Sequence, residues 1–252
     1  MWTHIAAAWS AGNRLDLYER NGLHMIRTDG WELMNGEYHA SEDQLGRLAG
    51  LLASGSRLEI LLGGLGLGYT LASLLETLNN AGMATGARIT VAERSDAVLR
   101  WFGSYINPRL AATLASGVRL VESDVVDHLD VDRRWDVIVL DVDNGPKALS
   151  APGNAVLYGE AGLVRCRDSL APSGHLLLWS SFEDLDFVEQ ARAVGFWITR
   201  RSIPLPNRTD QAHVLYVLSR EPLSSADCDR TGLDGSAAAS DPLQTIAGKR
   251  EA

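Results

Sequence analysis

The chain has 252 residues, 46% of them hydrophobic, enough to bury one large core or two small ones, which excludes disorder throughout. Lysine and arginine number 23 against 32 aspartate and glutamate, a formal charge of −9 with no long basic run, which sets nucleic acid and anionic membrane aside as partners. Cys166 and Cys228 have no CxxC or Cys/His spacing and no apolar stretch approaches about 18 residues, so a soluble, cytoplasmic protein without a disulfide framework or metal cluster is expected.

In chain order, Leu15–Glu19, Leu23–Arg27 and Trp31–Met34 are short alternating runs separated by Asn21-Gly22 and Asp29-Gly30, both good hairpin turns. Ser41–Ala53 reads as a helix with Ser41 as its N-cap and Leu45, Leu48, Leu51 and Leu52 on one face. Residues 1–54 therefore form a small antiparallel β-element with a linking helix.

From residue 55 to 220, apolar strand-length runs alternate with helical segments. Arg57–Leu62, Arg88–Ala92, Arg119–Glu122, Trp135–Leu140 and His175–Ser180 read as strands, and Tyr69–Leu78, Asp96–Phe102, Gly159–Leu170 and Leu185–Val194 as helices. This order predicts an α/β fold, a doubly wound and mostly parallel seven-stranded sheet. Phe196–Ile203 and His213–Ser219 close it as a hairpin. Trp31, Trp135, Trp179 and Trp197 are assigned to the core, and His213 to a structural role. Residues 221–252, rich in Ser, Ala, Asp, Gly and Thr, are expected to be a disordered tail.

The strongest local signal is Ile60-Leu-Leu-Gly-Gly-Leu-Gly-Leu-Gly-Tyr-Thr70, a buried strand entering a glycine turn that opens a helix. The third glycine comes one position too soon for the dinucleotide fingerprint, which argues against a nicotinamide or flavin enzyme. Glu93 ends the second parallel strand beside this turn, where a carboxylate can accept both hydroxyls of a ribose. Asp124 ends the third strand, within reach of an adenine amino group. The fourth closes with Val139-Leu-Asp-Val-Asp-Asn-Gly-Pro146, and two carboxylates and an amide at a strand end suit a cationic or hydrogen-bonding ligand. His39 and Glu42, three residues apart at a helix start, and Tyr158, at a loop-to-helix boundary, are placed on the substrate side.

As an ordered set, Asp29-Gly30 with Glu37-Tyr-His-Ala-Ser-Glu42, Leu62-Gly-Gly-Leu-Gly-Leu-Gly68, Glu93, Glu122-Ser-Asp124, Leu140-Asp-Val-Asp-Asn-Gly-Pro146, and Leu157-Tyr158 before a helix ending in Leu170-Ala-Pro-Ser-Gly174 resemble the class I S-adenosylmethionine-dependent transferases. Within them, the set resembles the spermidine-synthase-like branch. The resemblance runs from about Asp29 to Ser219. It implies that Gly63, Gly64, Gly66 and Gly68 surround the methionine part of S-adenosylmethionine or its decarboxylated form. Glu93 would hold the ribose, Asp124 and Val125 the adenine, and Asp141 would lie beside the sulfonium, with Asp143 and Asn144 completing the catalytic edge and no metal required.

The sequence departs from aminopropyltransferases in three places. Ala40-Ser41 stand where a Tyr-Gln pair is expected, Gly66 where the turn carries an Asp, and Asn144 where a second Asp belongs. Asp143 offers a partial replacement, although adjacent strand positions point to opposite faces. Methyl transfer to a small-molecule acceptor, or an unusual use of the amino-acid tail, is therefore favoured over polyamine synthesis. Spermidine synthesis and a non-catalytic nucleoside-binding or dimerising module are the alternatives. The acceptor could be an amine, and a homodimer stays open.

Overall fold

In the computed structural model, which describes residues 1–114, 117–130, 132, 134–142, 155–206 and 208–234, the chain before Ala40 pairs as an antiparallel meander. Its strands β1 (Thr3–Ser10), β2 (Asn13–Arg20), β3 (Leu23–Thr28) and β4 (Trp31–Asn35) follow in chain order across the sheet. All three turns, Ala11-Gly12, Asn21-Gly22 and Asp29-Gly30, have positive φ at both central residues, the geometry whose twist matches the flanking strands. Strand β1 goes beyond the sequence expectation: its Ile5-Ala-Ala-Ala8 core lacks alternation, and Ala11 hides the turn. Leu15, Leu17 and Ile26 are buried against the main domain. Trp31 corrects the core assignment, because it opens the edge strand β4 and is 79% exposed. Trp135 and Trp179 are buried, and Trp197 is half-buried.

Helix α1 (Ala40–Leu52) carries the chain to the seven-stranded sheet of β5 (Leu58–Gly63), β6 (Ala87–Glu93), β7 (Val118–Glu122), β8 (Trp135–Leu140), β9 (Leu170–Ser180), β10 (Trp197–Leu205) and β11 (Arg208–Ser219). The order across the sheet is β10-β11-β9-β8-β5-β6-β7, with β5 to β9 parallel and the β10–β11 hairpin antiparallel at one edge. Successive strand residues serve opposite faces: Ile60 and Leu62 join the core under α1, α2 (Tyr69–Asn80) and α3 (Asp96–Trp101). Leu61 joins the core on the other side. Two further short helices, α4 (Pro108–Thr113) and α5 (Ala155–Tyr158), precede α6 (Glu160–Ser169), which with α7 (Leu185–Ala193) covers that second face. The doubly wound, mostly parallel architecture read from the sequence is the one observed.

Ser41 does not cap α1; the N-cap is His39, and Ser41 lies inside the first turn with its side chain engaged elsewhere. Helix α1 meets α2 closely enough that a Cβ on Gly46 would stand 2.2 Å from the Thr70 carbonyl oxygen. Gly46→Ala is therefore expected to cost about 3 kcal/mol in denaturant unfolding despite alanine's better helix propensity. An unchanged midpoint would contradict this close packing.

The segment after Glu221 also differs from the expected tail. Ser224 and Asp227 form a reciprocal capping box that opens α8 (Ser225–Thr231), Leu233 is buried in the core, and Arg201 donates to the Thr231 carbonyl at 2.6 Å. So few apolar residues sit in this stretch that composition conceals its anchors, Leu233 and the partly buried Leu223. Residues 235–252 lie outside the described residues. Cys166 and Cys228 are free thiols, and burial pushes the Cys166 thiol up to about 12. Among the described residues no helix is long and apolar enough to cross a membrane.

Candidate functional site

The carboxyl ends of β5, β6 and β8 are drawn together by backbone bonds: Gly64 N–H donates to the Ala92 carbonyl at 2.8 Å and Asp141 N–H to the Gly63 carbonyl at 2.9 Å. Gly64, with φ +84°, packs so tightly on the end of β8 that a Cβ there would lie 2.2 Å from the Asp141 carbonyl oxygen. Above this edge opens a crevice of about 420 Å³, within the range of small-molecule sites. One wall is Gly64, Gly66, Glu93, Asp124, Val125 and Asp141 from the main sheet; the other is Leu15, Ile26, Leu33 and Met34 from the meander.

Glu93 organises the turn. Its Oε2 accepts from the backbone N–H of Leu65 at 3.0 Å and more weakly from that of Gly66 at 3.5 Å, and its Oε1 accepts from Ser95 N–H at 2.9 Å. Asp124 caps the short turn Val125–His128 through Val126 N–H and pairs with Arg94 at 3.6 Å. Both acids still face the crevice.

The four glycines divide. Gly64 and Gly66 line the crevice, and a side chain on Gly66 would meet Met34 Sδ at 2.4 Å. Gly63 and Gly68 have packing reasons instead, since Cβ atoms there would meet Val125 and Phe102. Gly68 also borders a smaller cavity of about 40 Å³, shared by Met34, Asn35, Glu42, Tyr69 and Asp141.

That smaller cavity holds the most perturbed acids. Asp141 keeps access to the crevice yet is surrounded by protein, and burial, reinforced by the nearby Glu42 charge, raises its carboxyl to about 7. Thr70 Oγ1 donates to its Oδ2 at 2.6 Å, which opposes the shift. Burial likewise raises Glu42. A carboxyl whose ionisation is opposed by burial and by a neighbouring carboxylate can accept a proton near neutrality, and the two together can hold a cation.

Of the remaining sequence candidates, His39 stacks on Tyr69 at 3.9 Å between ring centroids and bonds Asp43, facing a separate outer cavity. Tyr158 corrects the substrate-side assignment. It is 3% exposed, its hydroxyl donates to the Val142 carbonyl at 3.0 Å, and it packs edge-on against Phe187 beneath the strand ends. Asp143 and Asn144 lie outside the described residues. Sequence reading missed Thr70, although its place at the start of the helix after the glycine turn marks it, and Met34, for which no local pattern speaks.

A larger cavity, about 980 Å³, opens at the opposite, amino edge of the sheet and gathers Arg57, Arg88, Arg119 and Arg134 from four separate segments. It holds none of the perturbed acids, and ligands of open α/β sheets bind at the carboxyl edge.

No family model and no curated protein sequence matches the chain. Solved structures do. Spermidine synthase in complex with the transition-state analogue AdoDATO and spermidine synthase from Thermotoga maritima each superpose with a TM-score of 0.67 at 15% identity, over 89% of this chain and 74% of theirs. The chain has a spermidine-synthase-like fold. Human methyltransferase-like protein 13 in complex with SAH superposes with a TM-score of 0.52 at 17% identity, over 83% of this chain and 91% of that one.

Proposed function

We propose that the chain is a transferase that moves an alkyl group from an S-adenosylmethionine-type sulfonium to a small-molecule nucleophile. The observation that carries this reading is the single crevice uniting Gly64, Gly66, Glu93, Asp124 and Asp141 under the meander. The fit is chemical: Glu93 retains acceptor capacity beyond its backbone bonds for a ribose hydroxyl, and the three carboxylates favour a cation. When bound, the sulfonium supplies an electrophilic carbon with its own leaving group. The chain's task is to align a nucleophile, exclude water with Leu15, Ile26 and Met34, and take up a proton. Asp141 and Glu42 suit an amine acceptor, since one of the pair can hold its charge while the other accepts its proton.

Methyl transfer, or use of the intact amino-acid tail, is favoured over aminopropyl transfer by Gly66. The aspartate that the spermidine-synthase resemblance expects there would have to displace Met34. The Glu42–Asp141 pair favours aminopropyl transfer as the second reading, because it restores acidic groups for a polyamine. Neighbours whose structures hold AdoDATO and SAH support a cofactor of this type without choosing its form.

Calorimetric titration of S-adenosylmethionine and its decarboxylated form separates the two. Glu93→Ala is expected to weaken the preferred one by 10- to 100-fold, roughly the worth of a hydrogen bond to a charged group. Unchanged affinity would sink the cofactor assignment, and preference for the decarboxylated form would restore polyamine synthesis. Absence of turnover with any amine or cell extract would leave a nucleoside-binding module.

A further inference from the structure

Ser41 stands where the resemblance expects half of an amine-binding pair, and 172 positions separate it from His213. It is 2% exposed, its Oγ donates to Glu42 Oε2 at 2.5 Å, and the same Oγ lies 2.7 Å from His213 Nδ1. A hydroxyl has one proton, so when Glu42 is ionised and accepts it, His213 must donate through Nδ1–H. His213 is fixed by an edge contact to the Trp179 ring, 4.6 Å between centroids, and borders the outer cavity of about 140 Å³ beside Pro204 and Pro206. Glu42, at the other end, borders the reaction-side cavity with Asp141. Three hydrogen-bonding groups thus cross the first turn of α1 from the small acidic cavity to a second one.

We propose that Ser41 and His213 are a proton relay that carries a proton from Glu42 to the outer cavity. This deepens the transferase reading and rests on it, since only a nucleophile that loses a proton gives the relay work. A proton on Glu42 Oε2 passes to Ser41 Oγ as the hydroxyl proton passes to His213 Nδ1; the imidazolium then releases its Nε2 proton to water. Glu42 is left ionised and His213 neutral on Nδ1–H. Exchange of the ring proton between nitrogens through water, with rotation of the Ser41 hydroxyl, resets the chain. Ser41 and His213 touch no substrate and are positioning residues.

Among the described residues, the charged or titratable groups near the relay lie on α1, the chain before it and β10. Glu37, Tyr38, His39 and Asp43 border the outer cavity with His213, while β10 contributes Ile203, Pro204 and Leu205 there. Arg47 and Arg201 stand further along α1 and β10 and interact with each other. Burial lowers the His213 pKa, which helps it shed the proton it receives.

The test is long-range ¹H–¹⁵N NMR of the His213 ring in the whole labelled chain, followed over pH in wild type, Asp141→Asn, Ser41→Ala and Glu42→Gln. The expected wild-type ring is Nδ1–H where Glu42 is ionised and changes tautomer as Glu42 protonates. Asp141→Asn is expected to leave this change in place, because Asp141 takes its proton while Glu42 is still ionised and is neutral where Glu42 titrates. Ser41→Ala and Glu42→Gln each abolish the change, the first by cutting the chain and the second by removing its titrating end. An Nε2–H ring in alkaline wild type, or a change that survives Ser41→Ala or Glu42→Gln, overturns the relay. If Ser41→Ala does not fold, the Glu42→Gln arm decides. S-adenosylmethionine titration is read separately: binding without coupling removes the relay alone, and coupling without binding removes the transferase reading while the proton chain stands.

Discussion

Asp141→Asn is expected to raise thermal stability at pH 8 and to slow transfer. The folded chain holds the Asp141 carboxyl up to about 7, above its ordinary value near 3.8, so the native state binds a proton that the unfolded chain has lost. The stability this confers is full below the unfolded value and disappears as pH rises through about 7. Above that point the buried charge is a net burden. About three units at ~1.4 kcal/mol each set a ceiling of ~4 kcal/mol, which water entering from the crevice reduces. Asparagine can still accept from Thr70 and carries no charge to desolvate. The melting temperature should rise by several degrees at pH 8, and the difference should close near pH 4. Turnover should fall by 10²- to 10⁴-fold, the usual contribution of a positioned proton acceptor. A variant less stable than wild type at pH 8 would show that Asp141 is paired rather than stranded. Retained turnover would remove it from the chemistry.

Gly64→Ala should be the most damaging single added methyl group among the described glycines. The added carbon would meet the Asp141 main-chain oxygen at 2.2 Å, and φ of +84° strains any side chain. Strand ends locked by the Gly64–Ala92 and Gly63–Asp141 bonds leave neither partner room to retreat. Together these predict a loss of about 3–5 kcal/mol, a large share of the stability of a domain this size. Gly66→Ala is the internal control: its φ of +51° is similarly left-handed, but its obstacle is the flexible end of Met34, so it should cost only about 1–2 kcal/mol. Equal losses in urea unfolding would show that the turn dihedrals, and not the approach to β8, set the requirement.

The parallel strands were legible because burial on both faces writes them as nearly uninterrupted apolar runs, as in Leu58–Gly63 and Trp135–Leu140. β1 was not, since three consecutive alanines carry no alternation, and α8 was hidden because only scattered residues, Leu223, Thr231 and Leu233, anchor it. In the site, Glu93, Asp124 and Asp141 could be read as strand ends, a placement that the alternation itself dictates. Tyr158 was misplaced for a related reason: its position beside the carboxyl edge was right, but its ring turned inward to Phe187. What resisted reading were pairings set by tertiary distance. Met34 against Gly66, Ser41 against His213 and four arginines from separate segments each join parts of the chain that no window contains.

The bonds from Leu65, Gly66 and Ser95 to Glu93 have a consequence for the energetics of association. A glycine loop left to itself would sample many shapes, and a ligand would have to select one. Here the carboxylate has already chosen it, so the entropy of ordering the loop is spent during folding and does not weaken the encounter. The same atom group that would grip the guest also prepares the room.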